Sequence, residues 1–357
     1  VRILALVTDA FGAPGGIAQY NRDLISSLSR NGQSVTVLAR RGSAAGVLPS
    51  GVTQEVRSGQ PPFFAAAAAR ILAGGGVDAV FCGHIHFALL TAALCRFFGV
   101  PFWLQLHGIE AWDPRAPGIR QACERAALVT AVSRYTRARF LSWAHLPPER
   151  VRVLPDTIED RFCPGPVSGP LARRFGIEGK KVILTVGRLQ ASERYKGHEQ
   201  VLGAMADVRS RVPEAVYLIV GDGDDRQRLE RLAAKSGCGP CTVFAGQVED
   251  ADLPEIYRLA HVFVMPSSGE GFGIVYAEAM ASGVPAIGTG ERGSGDPLER
   301  LGRTASGEAL AGAIVEALLR QAPPDLCLAR AARETFGQDL YSVHVGRLLG
   351  TLGRDGR

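Results

Sequence analysis

Short apolar, β-branched runs alternate along the whole chain with longer stretches whose apolar positions recur every three or four residues. A short apolar run between polar flanks reads as a buried strand, and apolar positions at helical spacing read as an amphipathic helix. Strands are expected at 3–7, 35–39, 79–83, 102–107, 129–132 and 151–154 in the first half. In the second half they are expected at 182–186, 216–220, 243–245, 262–265 and 285–288. Helices fall between them, among them 17–30, 87–98, 197–211 and 226–235. Strand and helix in turn call for parallel sheets covered on both faces. The alternation occurs twice, with a break dense in Pro and Gly at 156–169. The expected organisation is an N-terminal doubly wound domain, 1–157, a linker, 158–178, and a second such domain, 179–336. Ligands of such sheets bind beyond the carboxyl ends of the strands, here in a cleft between the domains.

One segment carries more chemistry than the rest. It runs Pro266-Ser-Ser-Gly-Glu270-Gly-Phe-Gly-Ile-Val-Tyr-Ala-Glu278, directly after the apolar run 262–265. Helical spacing from Ile274 onward, with Gly283 and Pro285 as the stop, places Glu270 in the loop and Glu278 about one turn into the helix. The amides of Gly271, Phe272 and Gly273 then form a helix N-terminus, which attracts an anion through unpaired donors and the helix dipole. An anion pocket flanked by two carboxylates suits a phosphate ester that also carries hydroxyls. After the strand at 182–186, Arg188 and Lys196 stand at a strand end, where a planar fork and a point charge can together neutralise a diphosphate.

Glu270 and Glu278 match the E-x7-E motif, and the flanking words Gly269-Glu-Gly-Phe-Gly273 and Glu278-Ala-Met-Ala-Ser-Gly-Val-Pro285 extend the match. In these words the chain resembles the retaining glycosyltransferases of family four, and the resemblance runs its whole length. It implies the GT-B architecture, two Rossmann-like domains facing a central cleft, with a terminal helix, 337–357, crossing back to the first domain. It implies a hexosyltransferase that moves a sugar from a UDP- or GDP-sugar to an acceptor hydroxyl with retention. The acceptor would be a saccharide or a lipid-linked molecule, in cell-surface polysaccharide or glycolipid assembly. By the resemblance Arg188 and Lys196 contact the donor diphosphate, Glu278 the ribose, Glu270 the transferred sugar, and the 248–253 stretch from Val248 to Leu253 receives the base. Gly187, Gly221, Gly223 and Ile274 join the donor pocket. The Gly12-Ala-Pro-Gly15-Gly16 loop approaches the donor phosphates, Gly15 and Gly16 allowing positive φ. His107-Gly-Ile-Glu110 matches the family's His-Gly-x-acid word and puts His107 near the reacting sugar. Glu110 either orients His107 or meets the acceptor, and Tyr20 is assigned to the acceptor side. The family uses no metal, and none is expected here. An inactive nucleotide-sugar binder and a sugar-nucleotide epimerase remain the alternative readings.

The chain departs from the family after Pro285, where 288–297 leads quickly to a helix at Leu310 and the usual donor-contacting stretch is shortened. Cys238-Gly-Pro-Cys241 spells a redox motif, but it follows a helix and precedes a strand, the reverse of the arrangement that activates a thiol. Gly83-His-Ile-His86 offers half a metal site with no acid or Cys to complete it.

Composition adds the setting. Hydrophobic residues at 46% and charged residues at 21% describe an ordinary folded protein. No apolar run reaches the length of a spanning helix. Seven scattered cysteines and an opening strand lead to the expectation of a cytoplasmic protein with reduced thiols. The formal net charge of +5 resides entirely in the first 160 residues. Arg134, Arg137 and Arg139 with Tyr135, Phe140, Leu141 and Trp143 read either as a helix packed on the sheet or as a basic amphipathic face for anionic membrane. Basic strips with interleaved aromatics for nucleic acid are absent.

Overall fold

The computed structural model describes residues 1–13, 15–42, 47–73, 76–292, 295–320 and 324–352. The chain forms two compact units. The first holds Val1–Thr157 and the last helix, and the second holds Ile158–Gly337. Its early strands are β1 (Arg2–Val7), β2 (Ser34–Ala39), β3 (Val52–Val56), β4 (Ala79–Cys82), β5 (Phe102–Leu106), β6 (Leu128–Ala131) and β7 (Val151–Val153). They pair in parallel in the order β3-β2-β1-β4-β5-β6-β7, with α1 (Gly16–Arg30), α2 (Gln60–Leu72), α3 (Ala88–Phe98), α4 (Pro117–Glu124) and α5 (Arg134–Leu141) between them.

The second unit repeats the plan. It contains α6 (Gly169–Phe175), β8 (Lys181–Val186), α7 (His198–Arg211), β9 (Ala215–Val220), α8 (Arg226–Lys235), β10 (Thr242–Gly246) and α9 (Leu253–Leu259). Then follow β11 (Val262–Val264), α10 (Ile274–Ala281), β12 (Ala286–Gly288), α11 (Gly295–Leu301), β13 (Arg303–Thr304), α12 (Glu308–Leu319) and α13 (Leu326–Phe336). Its parallel sheet runs β10-β9-β8-β11-β12-β13. The last helix, α14 (Gln338–Leu352), belongs to the first unit. There Asn31 Nδ2 donates to Ser342 O at 3.0 Å, which fastens α14 to the end of α1.

Central strands are apolar on both faces because both are covered. Leu4, Ala5 and Val7 of β1 and Ile183 and Leu184 of β8 are fully buried. Each buried Leu or Ile contributes roughly 2 kcal/mol. Two buried polar side chains interrupt the first sheet without cost in unpaired groups. Thr130 Oγ1 donates to Gln105 Oε1 at 2.5 Å and accepts from Trp103 Nε1 at 2.6 Å. Tyr20 of α1 donates to the same Gln105 oxygen at 2.7 Å, which locks that helix to the sheet.

Three features differ from the sequence reading. Strand β3 was missed because only Val52 in it is buried, so an edge strand held by backbone pairing leaves no apolar run. Helix α11 and strand β13 stand before the helix at Leu310, and both residues of β13 are exposed. The 158–178 stretch is no bare linker. It carries α6, Phe162 packs edge-on to Tyr257 at 5.7 Å, and Ile158 bridges Gly337. Of the two readings of α5, the packing follows the helix laid on the sheet. Phe140 and Trp143 are buried, Trp143 Nε1 donates to Ala111 O at 2.9 Å, and Arg137 Nε donates to Val151 O at 2.7 Å, while Tyr135 and Leu141 are half-buried. Among the described residues no helix is long and apolar enough to cross a membrane.

Candidate functional site

Strand β8 ends at Val186, and Gly187 and Arg188 leave its carboxyl end. A short 3₁₀ turn, Ala191–Lys196, then leads into α7 through Gly197, whose φ of 79° reverses the chain. This turn is packed on the loop that carries Glu270. Ser268 N donates to Tyr195 O at 2.9 Å, and a Cβ on Gly197 would stand 2.4 Å from Pro266 O. Arg188, Lys196 and Glu270 are thereby brought to one place. The Lys196 ammonium lies over Gly187, where a Cβ would come within 3.1 Å of Nζ. Lys196 also pairs with Glu193 Oε2 at 2.9 Å, and Arg188 Nη2 pairs with Glu193 Oε1.

Glu270 accepts from Ser267 Oγ at 3.1 Å. Burial pushes its carboxyl above the usual range, and the Lys196 charge pulls it back down. The Phe272 side chain beside Glu270 is an anchor, being 2% exposed and edge-on to Phe336 at 5.4 Å, and only its backbone amide is left for the role expected of it. Gly271 and Ile274 remain half-buried. Gly273, with φ 84°, is the N-cap of α10, and its carbonyl accepts the Tyr276 amide at 3.0 Å, which engages one of the first-turn amides.

Glu278 belongs to a second cluster. Tyr257 of α9 donates to Glu278 Oε2 at 2.7 Å. Burial raises the Glu278 carboxyl to about 7, against lowering by Tyr257 and Arg161. Leu253 opens the same helix α9, and Val248 lies in the loop before it, both half-buried.

Gly221 and Gly223 are occupied by the protein itself. A Cβ on Gly221 would stand 1.9 Å from Gly187 O, and one on Gly223 would stand 2.2 Å from Leu189 O. These glycines let the 187–190 exit loop lie against the end of β9, so they shape the cation site from beneath. Gly221→Ala, at φ 132°, is expected to destabilise the fold by about 2 kcal/mol or more. A chemical-denaturation midpoint equal to that of the wild type would contradict this packing. Asp225 is the N-cap of α8 by position only, because its carboxylate is taken by Arg228 and Arg194.

In the first unit, Gly15 is the N-cap of α1 with φ 105°, while Gly16 is already helical. A Cβ on either would meet nothing within 4 Å, so their small size is not demanded by packing. Pro14 of that loop lies outside the described residues, as do Gly293 and Ser294 of the 288–297 stretch. His107 Nε2 is 2.9 Å from Gly83 O, and burial lowers its pKa first, with Glu110 opposing. Glu110 Oε1 accepts the amides of His107 at 2.6 Å and Gly108 at 3.2 Å. It therefore holds the backbone at His107, in keeping with the first of the two roles expected for it, that of orienting His107. Tyr20 is not at an open surface. It is 3% exposed, and its ring supports the His107 imidazole edge-on at 5.0 Å.

Three partners escaped the sequence reading: Ser267, Tyr257 and Glu193. The i, i+3 spacing of Glu193 and Lys196 was the one signal available. His84 and His86 are engaged locally, His86 N donating to His84 Nδ1 at 3.2 Å. Cys238 and Cys241 are both buried, and burial raises the Cys241 thiol, which is unsuited to redox exchange. Among the described residues no three His, Cys, Asp or Glu side chains gather as metal ligands.

The Glycosyltransferase Family 4 description matches residues 14–161, and Glycosyl transferases group 1 matches residues 171–317. A GDP-mannose-dependent alpha-(1-6)-phosphatidylinositol monomannoside mannosyltransferase of Mycolicibacterium smegmatis is 33% identical over 240 residues, covering 63% of this chain and 62% of its own. The match thus spans less than two thirds of that relative. A 2-deoxystreptamine glucosyltransferase of Streptomyces kanamyceticus is 31% identical over 295 residues, 73% of this chain and 72% of that protein. In fold, Anabaena HepE, solved in complex with UDP, superposes with a TM-score of 0.81 at 20% identity, covering 98% of this chain and 100% of that one. With both halves matched in order and two parallel α/β units of the GT-B type, the chain belongs to glycosyltransferase family 4.

Proposed function

We propose that the protein is a retaining glycosyltransferase that takes a hexosyl group from a UDP- or GDP-sugar and passes it to an acceptor hydroxyl. The observation that carries this reading is the grouping of Arg188 and Lys196 at the end of β8 beside the Glu270 carboxylate. Two cations fixed at one point suit a diphosphate, and an adjoining carboxylate suits the hydroxyls of the sugar attached to it. In the proposed reaction the bond from the anomeric carbon to the diphosphate oxygen breaks while one to the acceptor oxygen forms. The acceptor proton passes to the departing phosphate. Arg188, Lys196 and the α10 N-terminus stabilise the charge that develops there, as preorganised electrostatics. The reading assigns positive charge to side chains and calls on no metal.

Glu278 takes the ribose hydroxyls, with the 248–253 stretch near the base, and His107 is assigned to the transferred sugar. The M. smegmatis relative, by its name a GDP-mannose-dependent enzyme acting on a phosphatidylinositol mannoside, supports a GDP-sugar donor and a lipid-linked acceptor. HepE, solved with UDP, keeps a UDP-sugar in view. A lipid-linked acceptor would bring the protein to a membrane surface.

Thermal unfolding with UDP, GDP and ADP tests the donor. The matching nucleotide is expected to add about 2.7 kcal/mol at about a hundredfold excess over its Kd. An unchanged midpoint with all three would sink the reading. With the corresponding sugar donor, the anomeric configuration of the product by NMR decides retention.

A further inference from the structure

The two cations assigned to the diphosphate are held by a third side chain. Glu193 is 9% exposed, with one carboxylate oxygen on Arg188 and the other 2.9 Å from the Lys196 ammonium. The cations differ in freedom. The Lys196 side chain is 12% exposed and that of Arg188 is 68% exposed. An ammonium buried to that degree is costly without a counter-charge, and Glu193 is the carboxylate in contact with it.

Glu193 itself has little room to move. Its amide donates to Gln190 O at 2.8 Å, and a Cβ on Gly269 would stand 2.9 Å from the neighbouring Tyr195 ring. The turn is thus clamped on both sides, and its carboxylate points at a fixed place.

Resting on the donor pocket proposed above, we propose that Glu193 is a positioning residue for the diphosphate. It keeps the Lys196 ammonium at the end of β8 and holds Arg188 by one nitrogen. A guanidinium has five N–H donors, so one engaged nitrogen leaves the others for phosphate oxygens. The buried Lys196 is ordered on folding and the more exposed Arg188 is biased towards its place, so the donor bears less of that cost on binding. Glu193 acts through the cations and touches no reacting atom. The opposite role, a carboxylate that competes with phosphate for the same cations, makes the opposite prediction.

Calorimetric titration of the wild type, Glu193→Gln and Glu193→Asp with UDP, UMP, GDP and GMP separates them. The diphosphate that binds the wild type is expected to bind Glu193→Gln about tenfold more weakly or worse. The monophosphate of the same base should change by less than about threefold, and Glu193→Asp should recover part of the loss. Unchanged or tighter diphosphate binding by Glu193→Gln overturns the role. If Glu193→Gln does not fold, Glu193→Asp decides. A loss confined to the diphosphate upholds positioning, and an equal loss for both nucleotides overturns it. A wild type that binds none of the four sinks the donor reading itself, and this role with it.

Discussion

Lys196→Ala is expected to lose turnover and stability together. On the proposed mechanism the ammonium stabilises charge on the departing diphosphate, and removal of one such preorganised group typically costs about 10²–10³ in kcat. The stability loss has a separate cause. Lys196 is the buried partner of Glu193, whose side chain is 10% exposed, and its charge also holds down the burial-raised carboxyl of Glu270. Removing Lys196 leaves the buried Glu193 carboxylate to the mostly exposed Arg188, and breaking that half of the cluster costs up to about 3 kcal/mol. Adding Glu193→Gln to Lys196→Ala should restore part of the stability and none of the turnover, because the half-paired buried carboxylate is gone but the cation is still missing. Denaturant midpoints and single-turnover transfer, measured on both variants, check the two parts independently. Wild-type turnover in Lys196→Ala would remove this residue from the diphosphate site.

The second large effect is on pH dependence. Glu278 is raised from 4.5 to about 7, chiefly by burial, with Glu159 and Asp250 adding to the rise and Tyr257 and Arg161 opposing it. Ribose hydroxyls donate best to an ionised carboxylate. Nucleotide affinity should therefore climb as pH rises towards 7, by up to about tenfold per unit below it, and level off above. Stability moves the other way. The folded protein holds the Glu278 proton between 4.5 and 7 while the unfolded chain has released it. Stability therefore falls as pH rises through that window, by a total on the order of 3 kcal/mol above it. Glu278→Gln should flatten both profiles, binding nucleotide weakly at every pH and gaining stability over the wild type at pH near 8. Urea denaturation and nucleotide titration of the two proteins at several pH values provide the check. Parallel curves would mean that Glu278 does not titrate in this window.

How legible the site was in the sequence depends on how local each interaction is. Glu270, Gly273 and Glu278 lie on one strand-loop-helix segment, so spacing alone put the carboxylates in the loop and in α10. Arg188 and Lys196 were legible because a strand end and the following turn hold them. Tyr257 was not. It reaches Glu278 from another helix 21 residues earlier, and no periodicity announces such a contact. The burial of Tyr20 was not legible for a related reason: α1 turns that side chain inward onto Gln105, 85 residues away.

Fold class followed from hydrophobic patterning, because a parallel sheet covered on both faces requires central strands such as β1, β8 and β9 to be apolar throughout. The edge strands β3 and β13 bury little, and only their pairing with β2 and β12 makes them strands. Chemistry carried by one short segment, the E-x7-E word above all, was likewise written along the chain. Which charges neutralise each other was decided by tertiary packing. Glu193 pairs with both cations because the 191–196 turn is clamped against the Glu270 loop, and Glu278 is raised because α9 and α10 enclose it. Burial and opposite charge act over a few ångströms in space, and separation along the chain does not measure that distance.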